Sequence, residues 1–409
     1  MLSHLLDSVT DIFGRVAVVI GPGMDELAAI AAPHTVVVQH DRLGTAHAAL
    51  CAAEHFGHDE VAILFADNPL ITPATLRRLL DGRRAAAAGL ALAAMRPADP
   101  ARYGRLMLDK SGAVQRIVEW ADATPAERAI RLCNAGALCG PADRVLGWLR
   151  EIRPDNARGE YYLTDLVGLA ARDGATVIAV EADEAELCGI NSRAELAAAE
   201  AVVQRRLRAA AMDCGATLTA PETVFFCADT RLAPDTVVGP HVVFGPGVHV
   251  DGPAEIRAFS HLEGCLVQAG AIIGPYARLR PGTVVGPGAH VGNFVELKAT
   301  QLGAGAKANH LSYLGDATIG AATNIGAGTI TCNYDGFAKH RTTIGARVFL
   351  GSDSVLVAPV TVHDGAFIAA GSVITQDVAA DAMAFGRARQ ASVAGRAAEF
   401  RALHKKVDQ

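Results

Sequence analysis

The chain has 409 residues, 51% of them apolar and 20% charged, with a net charge of -6 at pH 7 and a pI near 6.2. That length allows two or three domains, each burying a core of its own, and the acidic balance excludes nucleic acid as the main partner, since a binding face needs a basic excess. No run of about 18 apolar residues occurs and no basic segment leads into an apolar one at the N-terminus, so a soluble, cytoplasmic chain with no membrane partner is expected.

Across residues 1–192, apolar runs at Val16–Ile20, Thr35–Val38, Val61–Phe65, Leu90–Ala94 and Thr176–Val180 alternate with Ala- and Leu-rich helical stretches. This predicts an α/β domain with a mostly parallel sheet. VQHDRLGTAHA places Gln39, Gly44 and Thr45 in a turn after one strand, and ILFADNPL places Asp67 just after another. A carboxylate at the end of a strand suits a metal bound to phosphates, although before Pro69 it also reads as a plain turn former. SRAELAAAEAVVQRRLRAAAM, from Ser192 to Met212, begins with a capping residue and is dense in helix formers, which predicts one helix linking two domains.

Beyond it a different period takes over. Val267, Ile273, Leu279, Val285, Val291 and Leu297 stand six apart, as do Ile344, Leu350, Leu356, Val362, Ile368 and Ile374. Neither helix nor flat strand repeats this way, whereas a parallel β-helix buries one aliphatic residue per short strand. Val238, Phe244, Val250, Ile256 and Leu262 extend the run toward the N-terminus, and Leu314, Ile319 and Ile325 bridge the two strong stretches, so the coil is expected over 214–390. Between Thr331 and Thr343 the period fails and the residues turn polar and basic, as in a loop thrown out of a coil. An Ala-rich charged helix, about Ala394–Lys406, is expected to close the chain.

The densest polar cluster runs from Arg278 to Tyr334, through ARLRPG, GNFVELK, NHLSYLGD and NIGAGTITCNYDG. An aliphatic ladder with small corners needs none of Arg280, Lys298, His310, Tyr313, Asn324, Asn333 or Tyr334. Cations for phosphate, amides and phenols for hydroxyls, and one imidazole for proton transfer suit an anionic sugar; a decorated outer face is the bland alternative. The eight cysteines lack paired zinc-site spacing and read as reduced, mostly packed thiols.

In the order and spacing of these motifs, nearly the whole chain resembles the bacterial bifunctional family of UDP-N-acetylglucosamine pyrophosphorylases and glucosamine-1-phosphate N-acetyltransferases. The resemblance implies an α/β nucleotidyltransferase-like (Rossmann-like) domain at 1–192, a linker helix at 193–213, a left-handed parallel β-helix of hexapeptide repeats at 214–390, and a C-terminal helix or tail at 391–409. By the same resemblance His310 is the general base of acetyl transfer, Arg280, Lys298, Tyr313 and Asn324 hold the sugar phosphate, and Asn333 and Tyr334 shape the pocket. Ala327, Ser352, Ala370 and Arg387, with Asn333 and Tyr334, fall on the acetyl-CoA side, with the Ala327 amide toward the oxyanion. An acetyl-thioester on Cys332 is a rival to direct transfer. In the first domain, Asp67 and Asn191 would bind Mg²⁺ on UTP. Gln39, Gly44 and Thr45 match uracil-side contacts, with Phe65 and Ala66 beside Asp67 in the UDP-N-acetylglucosamine pocket, and Gly104, Glu119, Asn134 and the GEYYLTD stretch from Gly159 line the sugar side. Sugar phosphates are the expected substrates, and a homotrimer with shared acetyl-transfer sites is the expected assembly.

Two departures stand out. Relatives carry a strand and Gly-rich loop of the type LAAGxGTRM, whereas this sequence begins MLSHLLDSV and reads as truncated at its N-terminus. A start placed too late and a true shortening both account for that, and either way the 409 residues are expected to be poor or inactive in uridylyl transfer. Phe65-Ala66-Asp67 also stands where relatives place Gly-Asp, so a methyl group would crowd the nucleotide. An acetyltransferase with a non-catalytic first domain, or an inactive structural or regulatory paralogue, are the alternative functions.

Overall fold

The computed structural model describes residues 1–100, 103–156 and 158–404, and the chain divides after Val203 into two compact units. In the first unit, Leu90–Met95 is the central strand and is buried along its whole length. It runs parallel to Val177–Glu181 on one side and antiparallel to Cys133–Pro141 on the other. Cys133–Pro141 pairs antiparallel in turn with Glu60–Ile63 and, at Arg105, with the hairpin of Arg105–Leu108 and Val114–Val118. Helix Pro73–Ala85 begins at an N-cap on Thr72, whose hydroxyl accepts from Thr75 N–H, and buries Leu76, Leu79 and Leu80.

The expectation of a mostly parallel sheet is therefore corrected. Ala17–Ile20 and Thr35–Val38 do pair in parallel, but as a separate two-stranded sheet, and most ladders of the larger sheet are antiparallel. The cause is local. Gly112, at φ +88°, closes a short turn between two strands, and strands joined by so short a turn have to run in opposite directions.

A cavity of about 870 Å³ lies in this unit, lined by Val18 and Val19 of one sheet, Ala62 and Ile63 of the other, and Leu5 and Ala49 from two helices. Ala17–Ile20 and Glu60–Ile63 each pair on one side only among the described residues.

Helix Arg193–Asp213 leads into the second unit, whose short strands from Thr217 to Ala384 form three parallel sheets of eight, ten and eight strands. Each coil contributes one strand per sheet, as in the register of Val238 on Ile256, Ile256 on Ile273 and Ile273 on Val291. All twelve aliphatic residues of the two strong six-residue runs are buried, from Val267 to Ile374. The glycines that follow many of them sit where successive coils touch: a Cβ on Gly292 would lie 2.0 Å from the carbonyl oxygen of Asn309. The period breaks between Ile330–Cys332 and Thr342–Ile344, where a loop leaves the coil. Arg396–His404 is helical, and the expected continuation over Lys405 and Lys406 lies outside the described residues.

Candidate functional sites

On the prism, Asn293–His310 is a paired register position between strands His290–Asn293 and Lys307–His310. His310 Nδ1 lies 2.8 Å from Asn293 Oδ1. With the hydrogen assigned to Nδ1, where it would meet the amide oxygen, Nε2 is the nitrogen left to act as a base. The imidazole is exposed.

The neighbouring sheet carries the cations. Arg280 donates to Glu296 Oε1 at 2.8 Å, and Lys298 Nζ lies 3.3 Å from Asp316 Oδ2, which also accepts from Asn333 Nδ2. Glu296 and Tyr313 are register partners on adjacent coils, as are Lys298 and Gly315. A Cβ on Gly315 would stand 2.5 Å from the Tyr313 hydroxyl and 2.7 Å from Asn333 Nδ2, so only glycine lets both groups approach. Asn324 is in register with Lys307, one coil beyond the His310 strand, and makes no hydrogen bond to the other candidates among the described residues.

The protruding loop is stapled by Asp335, which accepts from Phe337 N–H at 2.8 Å, from Ala338 N–H at 2.7 Å and from His340 Nε2 at 2.7 Å. Those hydrogen bonds hold its carboxyl well below the usual range. Tyr334, 61% exposed, donates to Gly336 O at 2.6 Å, and Asn333 at the loop base is buried. Ala327, Ser352, Ala370 and Arg387 form a column up one edge. Asp353 N–H donates to Ala327 O, Gly371 N–H donates to Ser352 O, and Arg387 Cδ comes within 3.6 Å of a Cβ built on Gly371. Cys332 is a free, partly buried thiol.

In the first unit, Gln39 Nε2 donates to Gly44 O at 3.1 Å and reaches His47 Nδ1 at 3.0 Å. Gly44, at φ +127°, leaves no room for a side chain: a Cβ would meet Tyr161 O at 2.5 Å. Thr45 accepts from Leu163 N–H, which ties this turn to the GEYYLTD stretch. Thr164 donates to Glu119 at 3.0 Å, a Cβ on Gly104 would lie 3.4 Å from Glu119 Oε2, and Asn134 N–H donates to Gly104 O. The sugar-side candidates Gly104, Glu119, Asn134 and Thr164 are thus brought together.

Phe65, Ala66 and Asp67 line the cavity, with Ala66 exposed. Ile190 N–H donates to Asp67 O, which brings Asn191 alongside, and Asn191 N–H is held by Glu195. Asp67 Oδ1 is buried without a hydrogen-bond partner among the described residues, and burial raises the Asp67 pKa. Asn293, Glu296 and Asp316 were not singled out from the sequence. Each lies within a quoted polar motif, and no local pattern distinguishes it there from a coil corner.

Burial likewise raises Glu119, beside Asp122 and Asp165. A raised folded-state pKa means extra protons bound in the folded state. The stability this confers is present below the unfolded pKa and is lost as pH rises through the folded value. Glu119→Gln removes the buried charge and keeps an acceptor for Thr164, so it is expected to melt above wild type at pH 8, with the gap closing toward pH 5. Calorimetry showing no gain at pH 8 would contradict this.

Residues 1–135 match the MobA-like NTP transferase domain family, and residues 341–376 match the bacterial transferase hexapeptide family of six repeats. Over 414 residues the chain is 66% identical to the bifunctional protein GlmU of Gluconacetobacter diazotrophicus, covering 100% of this chain and 90% of that protein. It is 62% identical to that of Acidiphilium cryptum (98% and 92% covered) and 52% identical to that of Paramagnetospirillum magneticum (98% and 90%). The chain belongs to the family of bifunctional GlmU proteins, transferases that join a nucleotidyltransferase domain to a hexapeptide-repeat β-helix.

Proposed function

We propose that this protein acetylates glucosamine 1-phosphate with acetyl-CoA on the prism and joins the product to UTP in the first unit, releasing pyrophosphate. The observation that supports the first step is the Asn293–His310 hydrogen bond, which orients the imidazole, with Lys298 held by Asp316 on the neighbouring sheet. His310 Nε2 takes a proton from the substrate amine, the nitrogen attacks the thioester carbon, and the CoA thiolate departs. Arg280, Lys298, Tyr313 and Asn324 hold the sugar phosphate, and Asn333 and Tyr334 close the pocket. The Ala327 N–H, with Ser352 nearby, meets the oxyanion, and Arg387 and Ala370 take the cofactor's far end. Direct transfer needs no acetylated Cys332.

For the second step, Asp67 and Asn191 would hold Mg²⁺, which neutralises phosphate charge when bound. The partnerless carboxylate oxygen of Asp67 fits that role, since magnesium takes one or two protein carboxylates together with substrate phosphates. Gln39, Gly44 and Thr45 hold the uracil side, and Gly104, Glu119, Asn134 and Thr164 orient the sugar so that its phosphate attacks the α-phosphorus of UTP.

We place the enzyme in the cytoplasm, where acetyl-CoA and UTP are available, and among the described residues no helix is long and apolar enough to cross a membrane. A homotrimer is the proposed assembly. Its support is an exposed column of stacked rings on one prism corner, His241, Phe259, Tyr276 and Phe294, with centroids 4.8 to 5.2 Å apart. The column ends at Leu311, 62% exposed and next to His310, so a neighbouring copy seated there would complete the acetyl site. Sedimentation with a parallel acetyl-transfer assay tests this: a trimer that loses activity on dilution is expected, and a fully active monomer would contradict it.

A further inference from the structure

We propose that Asp316 is a positioning residue of the acetyl-transfer site, holding Lys298 and Asn333 in place for the sugar phosphate. The inference rests on the acetyltransferase reading above. One carboxylate oxygen serves both partners: Oδ2 lies 3.3 Å from Lys298 Nζ and accepts from Asn333 Nδ2. The Lys298 and Asp316 side chains are only 20% and 21% exposed, and Asn333 is 7% exposed, so water competes little for these bonds.

The backbone repeats the connection. Asp316 N–H donates to Lys298 O at 2.9 Å, and Asp316 O accepts from Thr342 N–H at 3.2 Å, where the loop rejoins the coil. Asp316 therefore ties the coil strand carrying Lys298 to both ends of the loop, at Asn333 and Thr342. Its φ of +49° is one that Asp, Asn and Gly adopt more readily than other residues, so a bulky or β-branched side chain would not serve.

Electrostatics makes the carboxylate necessary. Lys339 stands beside Lys298, whose hydrogen bond and then whose charge lower the Lys339 pKa. Arg280 is already engaged by Glu296. Among the described residues Asp316 is the carboxylate paired with Lys298, so its loss is expected to leave the two lysines to repel and to turn Lys298 away from the pocket. An ammonium has three donors; with Asp316 and Lys339 both engaging Lys298, one remains for a phosphate oxygen.

The test uses Asp316→Gly, which keeps the positive φ and removes the side chain, alongside Asp316→Asn, which keeps the φ and an acceptor atom. Glucosamine 1-phosphate binding is measured by calorimetry, and KM and kcat for acetyl transfer are measured for both substrates. Losing a hydrogen bond between charged groups costs about tenfold or more in binding. Asp316→Gly is therefore expected to weaken sugar-phosphate binding and raise its KM by about tenfold or more, with the acetyl-CoA KM within about twofold of wild type. Asp316→Asn should fall between the two. Sugar-phosphate affinity undiminished in Asp316→Gly, or a variant series in which both substrates weaken together and Asn gives no recovery, would overturn the inference while leaving the acetyltransferase reading standing. Wild-type protein that binds no glucosamine 1-phosphate would overturn both.

Discussion

Replacing His310 with alanine is expected to lower acetyl transfer to glucosamine 1-phosphate by roughly 10²- to 10⁴-fold, the usual cost of losing a general base. The effect should fall on kcat. His310 contacts Asn293 at the end of its strand and is exposed, so its removal leaves the aliphatic ladder untouched: Val291, Ala308 and Ile325 stay buried in register. Thermal stability, assembly and acetyl-CoA affinity should therefore match wild type. Wild-type turnover in His310→Ala would remove the imidazole from the mechanism, and loss of the fold would make its role structural.

Replacing Asp67 with alanine is expected to lower uridylyl transfer by at least about 10²-fold and to spare acetyl transfer. Changes to groups that merely support a metal ligand cost 10- to 100-fold in affinity or activity, and Asp67 is argued to be a ligand itself. Its raised pKa, caused mainly by burial, gives the test a second readout. The folded state holds the proton more tightly than the unfolded one, so stability from this group is present below the unfolded pKa and lost as pH rises through the folded value. Asp67→Asn should thus be more stable than wild type at pH 8 while binding Mn²⁺, used as a paramagnetic probe, more weakly. Unchanged Mn²⁺ affinity would argue that Asp67 is only a turn former.

The prism was legible because its inner ladder demands one aliphatic residue every six positions, a rule that a reader can check residue by residue. The first unit was less legible. Cys133–Pro141, which joins most of its sheet, contains Asn134, Gly136 and Gly140, residues that read as turn. Arg105 opens a strand with its side chain fully buried, donating to the carbonyls of Pro100, Tyr103 and Arg128 and lying 5.2 Å over the Trp120 ring. Nothing in its neighbours announces a buried cation. Among the candidate site residues, those in dense polar motifs were visible as a group. Asn293 and Asp316 were not, because their roles come from partners 17 and 17 or 18 residues away on adjacent coils. Such pairings appear only once the register is known.

Two separate reaction centres on one chain is the central claim, and the most direct measurement is the pair of half-reactions, acetyl transfer and uridylyl transfer, run on His310→Ala and Asp67→Ala alike. The account predicts that His310→Ala loses only the first relative to wild type and Asp67→Ala only the second. A single substitution that abolishes both, or a His310→Ala protein that acetylates at the wild-type rate, would contradict it.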